Sequence, residues 1–156
     1  MKSDKFILDA HFGKLARYLR MLGFDTVYDR ALNDEQIIQI SLQENRAILS
    51  KDRALLLDRR VKNGYFVNAK NLGDQLIEVI KHFDMVNKFN PFTRCLLCNG
   101  KIITVDKKNI QEEVLLSIFN QYENFTRCLD CKKVFWEGSH HQKMSNFIAE
   151  LSLTLR

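Results

Sequence analysis

The chain has 156 residues, of which 46% are hydrophobic and 28% charged, and its net charge at pH 7 is +5. This balance is that of a globular protein, and a single proline with no Ser/Gly tract excludes a long flexible linker. The basic excess suits a polyanionic partner such as nucleic acid. The first apolar run, Phe6-Ile7-Leu8, is too short for a signal-peptide core or a membrane span, so we expect a cytoplasmic protein with no membrane partner.

Residues 5 to 84 alternate short apolar runs with amphipathic segments. After the first run, Leu15, Leu19 and Leu22 recur at the spacing of a buried helical stripe, and Gly23 ends that helix. Later strands are predicted at 25–28, 47–50 and 65–67, and later helices after residue 33, through 55–57 and over 72–83. Parallel strands joined by helices make right-handed crossovers, so we predict an α/β fold: a parallel sheet with helices on both faces.

The alternation stops at Asn90-Pro91, where we place a boundary between an α/β domain at 1–88 and a second module at 89–156. In the second module, apolar residues at intervals of about four predict helices over 109–122 and 141–155. The last helix has an apolar side that either packs onto its own chain or pairs two chains. A homodimer through this helix therefore stays open.

Every cysteine belongs to one of two C-x-x-C pairs, Cys95/Cys98 and Cys128/Cys131, with 29 residues between the pairs. Two residues between ligands let one tight turn present two thiolates to a tetrahedral ion, so the four sulfurs predict a structural Zn²⁺ site in a small zinc ribbon. Two disulfides or a redox pair are the alternatives. A cytosolic location argues against the first, and the second needs only one pair.

Acidic residues follow the predicted strands. Asp9 closes the first strand, Asp52 lies two residues past the third, and Asp34 and Glu35 open the helix after the second. Ligand sites of open parallel sheets lie beyond the carboxyl ends of the strands, so these side chains are candidate catalytic residues. Clustered carboxylates repel one another unless they bind a cation, and Mg²⁺ or Mn²⁺ prefers oxygen ligands. The alternative for each acid is a helix cap or turn former.

Basic residues near these acids are candidate substrate contacts. Lys14, Arg17 and Arg20 lie away from the leucine stripe of the first helix, on what is normally a solvated polar face. That helix opens directly after the first acid, so the three cations could hold a phosphate backbone. Two further cations, Lys51 and Arg53, flank the acid after the third strand and are assigned to the same role.

An aromatic and polar cluster follows the last cysteine. Trp136 and His140 suit stacking on RNA bases and hydrogen bonding to them. A buried tryptophan beside surface histidines explains the same residues equally well. A histidine that acts as an extra metal ligand or general acid is a third possibility.

Five segments together resemble a known family: FILD at 6–9, GKLARYLRMLGFD at 13–25, LSKDR at 49–53, FTRCLLCNG at 92–100 and VFWEGSH at 134–140. They resemble the PIN-like ribonuclease domain with an attached zinc ribbon, named after the C-terminal region of the Mut-seven exonuclease. The resemblance implies a PIN-like fold whose acidic pocket binds Mg²⁺ or Mn²⁺ and cuts RNA. By this resemblance Asp9 and Asp52 are the metal ligands, and Asp34 or Glu35 is the third.

We therefore predict a divalent-metal-dependent ribonuclease that hydrolyses RNA phosphodiesters, with the zinc ribbon guiding the RNA. The alternative is a non-catalytic RNA-binding or ribosome-associated adaptor, in which the acids are caps and the ribbon with its basic surroundings binds RNA. Two other α/β classes fit poorly. A phosphoacceptor receiver domain needs a second acid beside Asp9, and a nucleotide-binding domain needs a Gly-rich phosphate loop after a strand.

Overall fold

The computed structural model describes residues 3–156, so the first two residues of the predicted domain at 1–88 lie outside the described residues. Strands and helices alternate in the first half of the chain, as predicted. They are β1 (Lys5–Leu8), α1 (Gly13–Met21), β2 (Asp25–Val27), α2 (Asp34–Glu44), β3 (Ala47–Ser50), α3 (Arg53–Leu56), β4 (Gly64–Phe66) and α4 (Leu72–His82). A short 3-10 helix over Ala10–Phe12 joins β1 to α1.

The four strands form one parallel sheet in the order β2-β1-β3-β4. Successive residues of a strand point to opposite faces of the sheet, so each buried strand contributes to two cores. Phe6, Leu8 and Leu49 pack with α1 and α4 on one face, and Ile7 and Ile48 pack with α2 and α3 on the other. The predicted α/β fold with helices on both faces is confirmed.

Local sequence explains where two of the helices begin and end. The Asn33 side chain caps α2 by accepting the N–H of Gln36 at 2.9 Å, and the Gln36 side chain accepts the N–H of Asn33 at 2.9 Å. Gly23 follows α1 with a φ of 98°, a left-handed conformation that favours glycine. A side-chain carbon at Gly23 would lie 2.2 Å from the carbonyl oxygen of Asn90. Glycine there lets the chain leaving the α/β domain pack against the end of α1.

Residues 89–156, the predicted second module, contain an antiparallel sheet of β5 (Ile102–Val105), β6 (Phe125–Cys128) and β7 (Val134–Trp136), in that order. The helix predicted over 109–122 is wrong in extent, because only α5 (Leu116–Gln121) forms after a 3-10 turn at Lys107–Asn109. Ile110 is fully buried with Phe125 and Val134 in a small core. The apolar side chain at position 110 therefore packs from the end of a turn and not from a helix.

The last helix, α6 (Ser139–Thr154), packs back onto the α/β domain. Leu151 is 5% exposed in the core cluster that includes α1 and α4, and Phe147 meets Tyr18 edge-to-face with ring centroids 4.9 Å apart. Packing onto its own chain is thus observed for this helix, and a homodimer stays a prediction. None of the helices between residues 3 and 156, α6 included, is long and apolar enough to cross a membrane.

The first C-x-x-C turn is joined to the edge of the parallel sheet through the side chain of Asn99. Its Oδ1 accepts the backbone N–H of Thr26 in β2 at 2.9 Å, and its Nδ2 donates to Oδ1 of Asp25 at 2.7 Å. Because β2 is an edge strand, its outer backbone groups need partners from outside the sheet. Asn99 supplies one of these partners from the second module.

Two arginines complete this contact, which we call the Asp25 clasp and which consists of Asp25, Arg46, Arg94 and Asn99. Buried Arg46 donates Nη1–H to Oδ1 of Asp25 at 2.7 Å, and Arg94 Nη2 lies 3.5 Å from Oδ2. Burial raises the pKa of Asp25, but hydrogen bonds from Arg46 and Asn99 outweigh burial and hold this pKa below its ordinary value. The clasp therefore contains an ionised Asp25.

We predict that Asp25→Asn lowers the free energy of unfolding by about 2 kcal/mol at pH 7, because buried Arg46 loses the charge of one of its two carboxylate partners and keeps only Glu44. The folded pKa of Asp25 lies below its unfolded value. The contribution of ionised Asp25 to the free energy of unfolding is therefore present above about pH 4 and is lost as the pH falls through the folded pKa. Urea unfolding at pH 7 and pH 3 measures both effects. Asp29→Asn, at an exposed aspartate just after β2, is the control, and an equal loss in both variants contradicts the role of the clasp.

Candidate functional site

The four cysteines gather at one point, as predicted, with their sulfurs all within 4.8 Å of one another. The Sγ atoms of Cys95 and Cys131 are 3.8 Å apart, and those of Cys98 and Cys128 are 3.4 Å apart. Disulfide sulfurs are about 2.05 Å apart, whereas a tetrahedral shell with metal–sulfur bonds of about 2.3 Å separates them by about 3.8 Å. The arrangement thus fits a metal ion such as zinc.

Two turns of the same shape present these sulfurs. Asn99 follows Cys98 with a φ of 72°, and Lys132 follows Cys131 with a φ of 67°. Each of these left-handed residues donates its N–H to the carbonyl of the first cysteine in its turn, at 2.9 and 3.1 Å. Asn99 therefore closes a cysteine turn with its backbone and binds β2 with its side chain.

The protein environment acts differently on the thiols of the two turns. Burial raises the pKa of Cys95 to about 12. At Cys128 burial also raises the pKa, but hydrogen bonds from the backbone N–H groups of Cys131 and Asp130 outweigh it and lower the pKa to about 7. Because a metal ion deprotonates the thiols it binds, an ion in this cluster would hold all four as thiolates.

A second candidate site is an open cleft at the carboxyl ends of β1, β3 and β4. The side chains that line it come from the loops after these strands and from the start of α4: His11, Phe12, Lys51, Asp52, Arg53, Ala54, Lys70 and Gln75. Carboxyl ends of parallel strands meet at one edge of a sheet, and this edge is where the sequence predicts the acidic site. We call this feature the cleft.

Asp9 lies next to the cleft, is 6% exposed, and accepts hydrogen bonds at both carboxylate oxygens. Its Oδ1 accepts the N–H of His11 at 2.9 Å. Its Oδ2 accepts the N–H of Lys51 at 3.2 Å and the hydroxyl of Ser50. Asp9 thus caps the 3-10 turn after β1 and links β1 to β3, as the cap alternative predicts.

Asp52 lines the cleft and also caps α3. Its Oδ1 accepts the N–H groups of Ala54 at 2.9 Å and Leu55 at 3.3 Å, whereas no donor in residues 3–156 reaches Oδ2. The Ser50 hydroxyl connects the two acids, because it donates to Asp9 and accepts the N–H of Asp52 at 2.8 Å. One oxygen of Asp52 is therefore structural and the other is open to a ligand.

Asp34 and Glu35 are exposed in the first turn of α2 and do not line the cleft. Arg60 donates to both oxygens of Glu35, at 2.7 and 2.9 Å, and this ion pair lowers the pKa of Glu35. Among the described residues 3–156, the four cysteines form the only group of three or more Cys, His, Asp or Glu side chains that could hold a metal ion. The structure does not bring the predicted third acid to Asp9 and Asp52.

The lining of the cleft carries more positive than negative charge, with the cations Lys51, Arg53 and Lys70 against a single carboxylate. The guanidinium of Arg53 lies 4.0 Å from the ring centre of Phe66, and Nζ of Lys51 lies 5.7 Å from that of Phe12. Lys51 and Arg53 lie where the sequence predicts them. Lys70 was missed, although it follows the fourth strand and the carboxyl-end rule applies to that strand too.

The cations of the first helix have different environments. Lys14 and Arg17 are exposed, as predicted, but outside the lining of the cleft. The predicted exposure of Arg20 is wrong, because this side chain is 4% exposed. It donates to the carbonyls of Thr26 at 2.9 Å and Leu96 at 3.0 Å. Arg20 therefore holds the first cysteine turn against β2, where an RNA backbone cannot reach it.

The aromatic and polar cluster after the last cysteine also contains one partly buried and one exposed residue. Trp136 packs against the small core of the second module, with its ring centroid 6.4 Å from that of Phe125. His140 is exposed in the first turn of α6. Trp136 is thus partly buried against this core, His140 is a surface residue, and RNA contacts by either residue stay a prediction.

The cleft fits a divalent cation only in a limited way. Mg²⁺ is commonly bound through one or two carboxylates together with several waters. Asp52 offers one open oxygen, while both oxygens of Asp9 already accept hydrogen bonds. These donors fit a single hydrated ion and do not form a cluster of several carboxylates.

Comparison with protein families identifies the chain. The family model described as Mut7-C RNAse domain matches residues 4–148, which is nearly the whole chain. No curated protein and no solved structure matches it. The matched range includes the parallel sheet, the cleft and all four cysteines, so both candidate sites lie inside it.

We predict that Gly100→Ala weakens metal binding by about tenfold or more, as changes beside metal ligands commonly do. A Cβ at Gly100 would lie 2.6 Å from Sγ of Cys128 and 2.8 Å from Oδ2 of Asp130, so a ligand must shift. Titration with Zn²⁺ against a chromophoric chelator measures the affinity. Gly73→Ala, whose nearest neighbour would be 3.7 Å away, is the control, and equal affinities in both variants contradict the geometry.

Proposed function

The chain belongs to the Mut7-C RNAse domain family, and from this premise we propose that it is a divalent-metal-dependent ribonuclease whose active site is the cleft. The observation that carries the proposal is the position of Asp52. It lines a cationic cleft at the carboxyl ends of three parallel strands, with one carboxylate oxygen open. The proposed substrate is RNA, and the proposed reaction is hydrolysis of its phosphodiester bonds.

The residues of the cleft have distinct parts in this proposal. Lys51 and Arg53 bind the phosphate, because their cationic groups flank Asp52 in the lining. Asp52 would hold the divalent ion with its open Oδ2, while its Oδ1 stays bound to the start of α3. Asp9 is a positioning residue: it fixes the Ser50 hydroxyl, which in turn accepts the N–H of Asp52.

A single Mg²⁺ or Mn²⁺ ion beside Asp52 and Asp9 would supply Lewis acidity to the phosphate and make a nucleophile from water. Waters fill the remaining positions around such an ion in many proteins. This suits a site where neither Asp34 nor Glu35 lines the cleft. The third acidic ligand implied by the family resemblance stays a prediction.

For the cysteine cluster we propose Zn²⁺ in a structural role. Four sulfur ligands close a tetrahedral shell and leave no position for a substrate. The second module would then act as a rigid guide for RNA, with exposed His140 as a contact and with Lys14 and Arg17 on α1 as further basic contacts. A cytoplasmic location is part of the same proposal.

One observation favours a non-catalytic function. Both oxygens of Asp9 accept hydrogen bonds from the protein, and Asp52 caps α3, so each acid has a structural role of its own. In an RNA-binding or ribosome-associated adaptor, the same cationic cleft would bind phosphate and cut nothing. The two functions differ only in whether the open oxygen of Asp52 takes part in chemistry.

We predict that Asp52→Asn lowers Mn²⁺-dependent RNA cleavage by about 100-fold or more, because the open oxygen loses its charge. Asparagine caps helices as well as aspartate does, so the variant should fold normally. Labelled single-stranded and structured RNAs, incubated with zinc-loaded protein with and without added Mn²⁺, measure the cleavage. Asp106→Asn is the matched control, since Asp106 also caps a short helical turn but lies in the second module.

The outcomes separate the two functions. Cleavage lost in Asp52→Asn and kept in Asp106→Asn supports the ribonuclease. RNA bound but left intact by the wild-type protein supports the adaptor. Equal cleavage by the two variants would mean that the cleft is not the active site.

A further inference from the structure

We infer that the cleft contains a phosphate-binding site formed by Lys70 together with Lys51 and Arg53, and that this site binds a phosphate group of RNA without a divalent ion. The inference rests on the proposed function, because it takes RNA as the ligand. It adds a residue from the loop after β4, and it names the group that is recognised before any chemistry takes place.

The charge of the lining indicates an anion as the ligand. Three cationic side chains and one carboxylate line the cleft, which leaves an excess of two positive charges. Asp9 adds a negative charge nearby, but its oxygens accept donors from His11, Ser50 and Lys51. A divalent cation entering the cleft alone meets this positive excess, whereas a phosphate is attracted by it.

Lys70 is held in place by the helix that follows it. Buried Gln75 of α4 donates its side-chain amide to the carbonyls of Ala69 at 3.2 Å and Lys70 at 3.3 Å. The carboxylate of Glu78, one turn further along, accepts the backbone N–H groups of Asn68 at 2.9 Å and Ala69 at 2.8 Å. The backbone of the segment that ends at Lys70 is thus fixed by hydrogen bonds from α4 to both its N–H groups and its carbonyls.

The three cations converge from two segments of the chain. Lys51 and Arg53 follow β3, and the ring of Phe66, the last residue of β4, lies under the guanidinium of Arg53. Lys70 follows β4 and borders the same cleft. A phosphate that contacts all three bridges the ends of two neighbouring strands, so its position is fixed relative to the open oxygen of Asp52.

Two kinds of RNA phosphate have this chemistry. An internal phosphodiester carries one negative charge, and a terminal phosphate carries about 1.5 to 2 at pH 7. The positive excess of the cleft accommodates either, so the experiment below includes RNAs that differ only in their ends.

The test is RNA binding by zinc-loaded, full-length protein in buffer without added Mg²⁺ or Mn²⁺, measured by fluorescence anisotropy with a labelled single-stranded RNA. We expect Lys70→Ala to weaken binding about five- to tenfold and to reduce the slope of log affinity against log salt by about 0.7, the value for one phosphate contact. Lys62→Ala is the control, because exposed Lys62 precedes β4 and Lys70 follows it. Lys70→Arg, which keeps the charge, should bind within about twofold of the wild type.

RNAs with a 5′-phosphate, with a 3′-phosphate or with hydroxyls at both ends distinguish the sources of the phosphate. A loss on Lys70→Ala that is confined to one phosphorylated RNA supports terminal recognition. An equal loss on all three RNAs supports an internal phosphodiester. Binding by Lys70→Ala that equals binding by Lys62→Ala on every RNA overturns the inference.

Cleavage with added Mn²⁺, assayed on the same proteins, separates this inference from the proposed function. Weaker binding by Lys70→Ala supports the phosphate site even when the wild-type protein cleaves nothing, and the ribonuclease proposal alone fails. Unchanged binding by Lys70→Ala overturns the phosphate site even when the wild-type protein cleaves RNA.

Discussion

The contact on which the arrangement of this protein depends is the one between Asn99 and the outer edge of β2. The last helix packs onto the α/β domain, but the antiparallel sheet of the second module has its own small core, with three buried residues among those the structure describes, and no residue of the α/β domain belongs to it. The backbone N–H of Asn99 closes a cysteine turn, and the side chain of Asn99 forms hydrogen bonds with Thr26 and Asp25 of the α/β domain. A structural zinc ion of the kind proposed for the cysteine cluster contributes on the order of 10 kcal/mol to small modules, and by ordering the turn it would also fix Asn99 against β2. β2 lies beside β1, which leads directly into Asp9.

Charge explains why arginines surround this contact. A divalent ion with four thiolates carries a net charge of about −2, which nearby cations can offset. Arg20 donates to the carbonyl of Leu96 within the first cysteine turn. Burial lowers the pKa of Arg20, and the nearby sulfurs of Cys98 and Cys95 offset part of this lowering. Arg94 reaches both the carbonyl of Asn99 and the carboxylate of Asp25. The arginines around this contact are therefore paired with carboxylates and carbonyls of the same chain.

The sequence predicts what depends on local spacing. The leucines of α1 and the C-x-x-C pairs define their structures within a few residues, and both predictions are confirmed. The predicted exposure of Arg20 is wrong because the burial of this side chain depends on Leu96, which lies 76 residues away in the sequence. Glu35 fails to reach the cleft because β2 is the edge strand and Arg60 binds the side chain. The apolar residues over 109–122 recur at helical spacing although Ile110 lies in a turn, because this side chain is needed to fill the small core.

The cleft brings several unpaired cations together on one concave surface. Lys51, Arg53 and Lys70 form no ion pair with the described residues 3–156, a property they share with other exposed cations such as Lys14 and Lys62, which do not line the cleft. Unpaired cations that converge on one concave surface raise the local potential, and a bound polyanion lowers it. In the two proposals for the cleft, recognition of phosphate therefore depends on the cations alone, while catalysis additionally requires the open carboxylate oxygen of Asp52. In the function proposed here, the cleft binds RNA first, and the open oxygen of Asp52 decides whether the bound strand is cut.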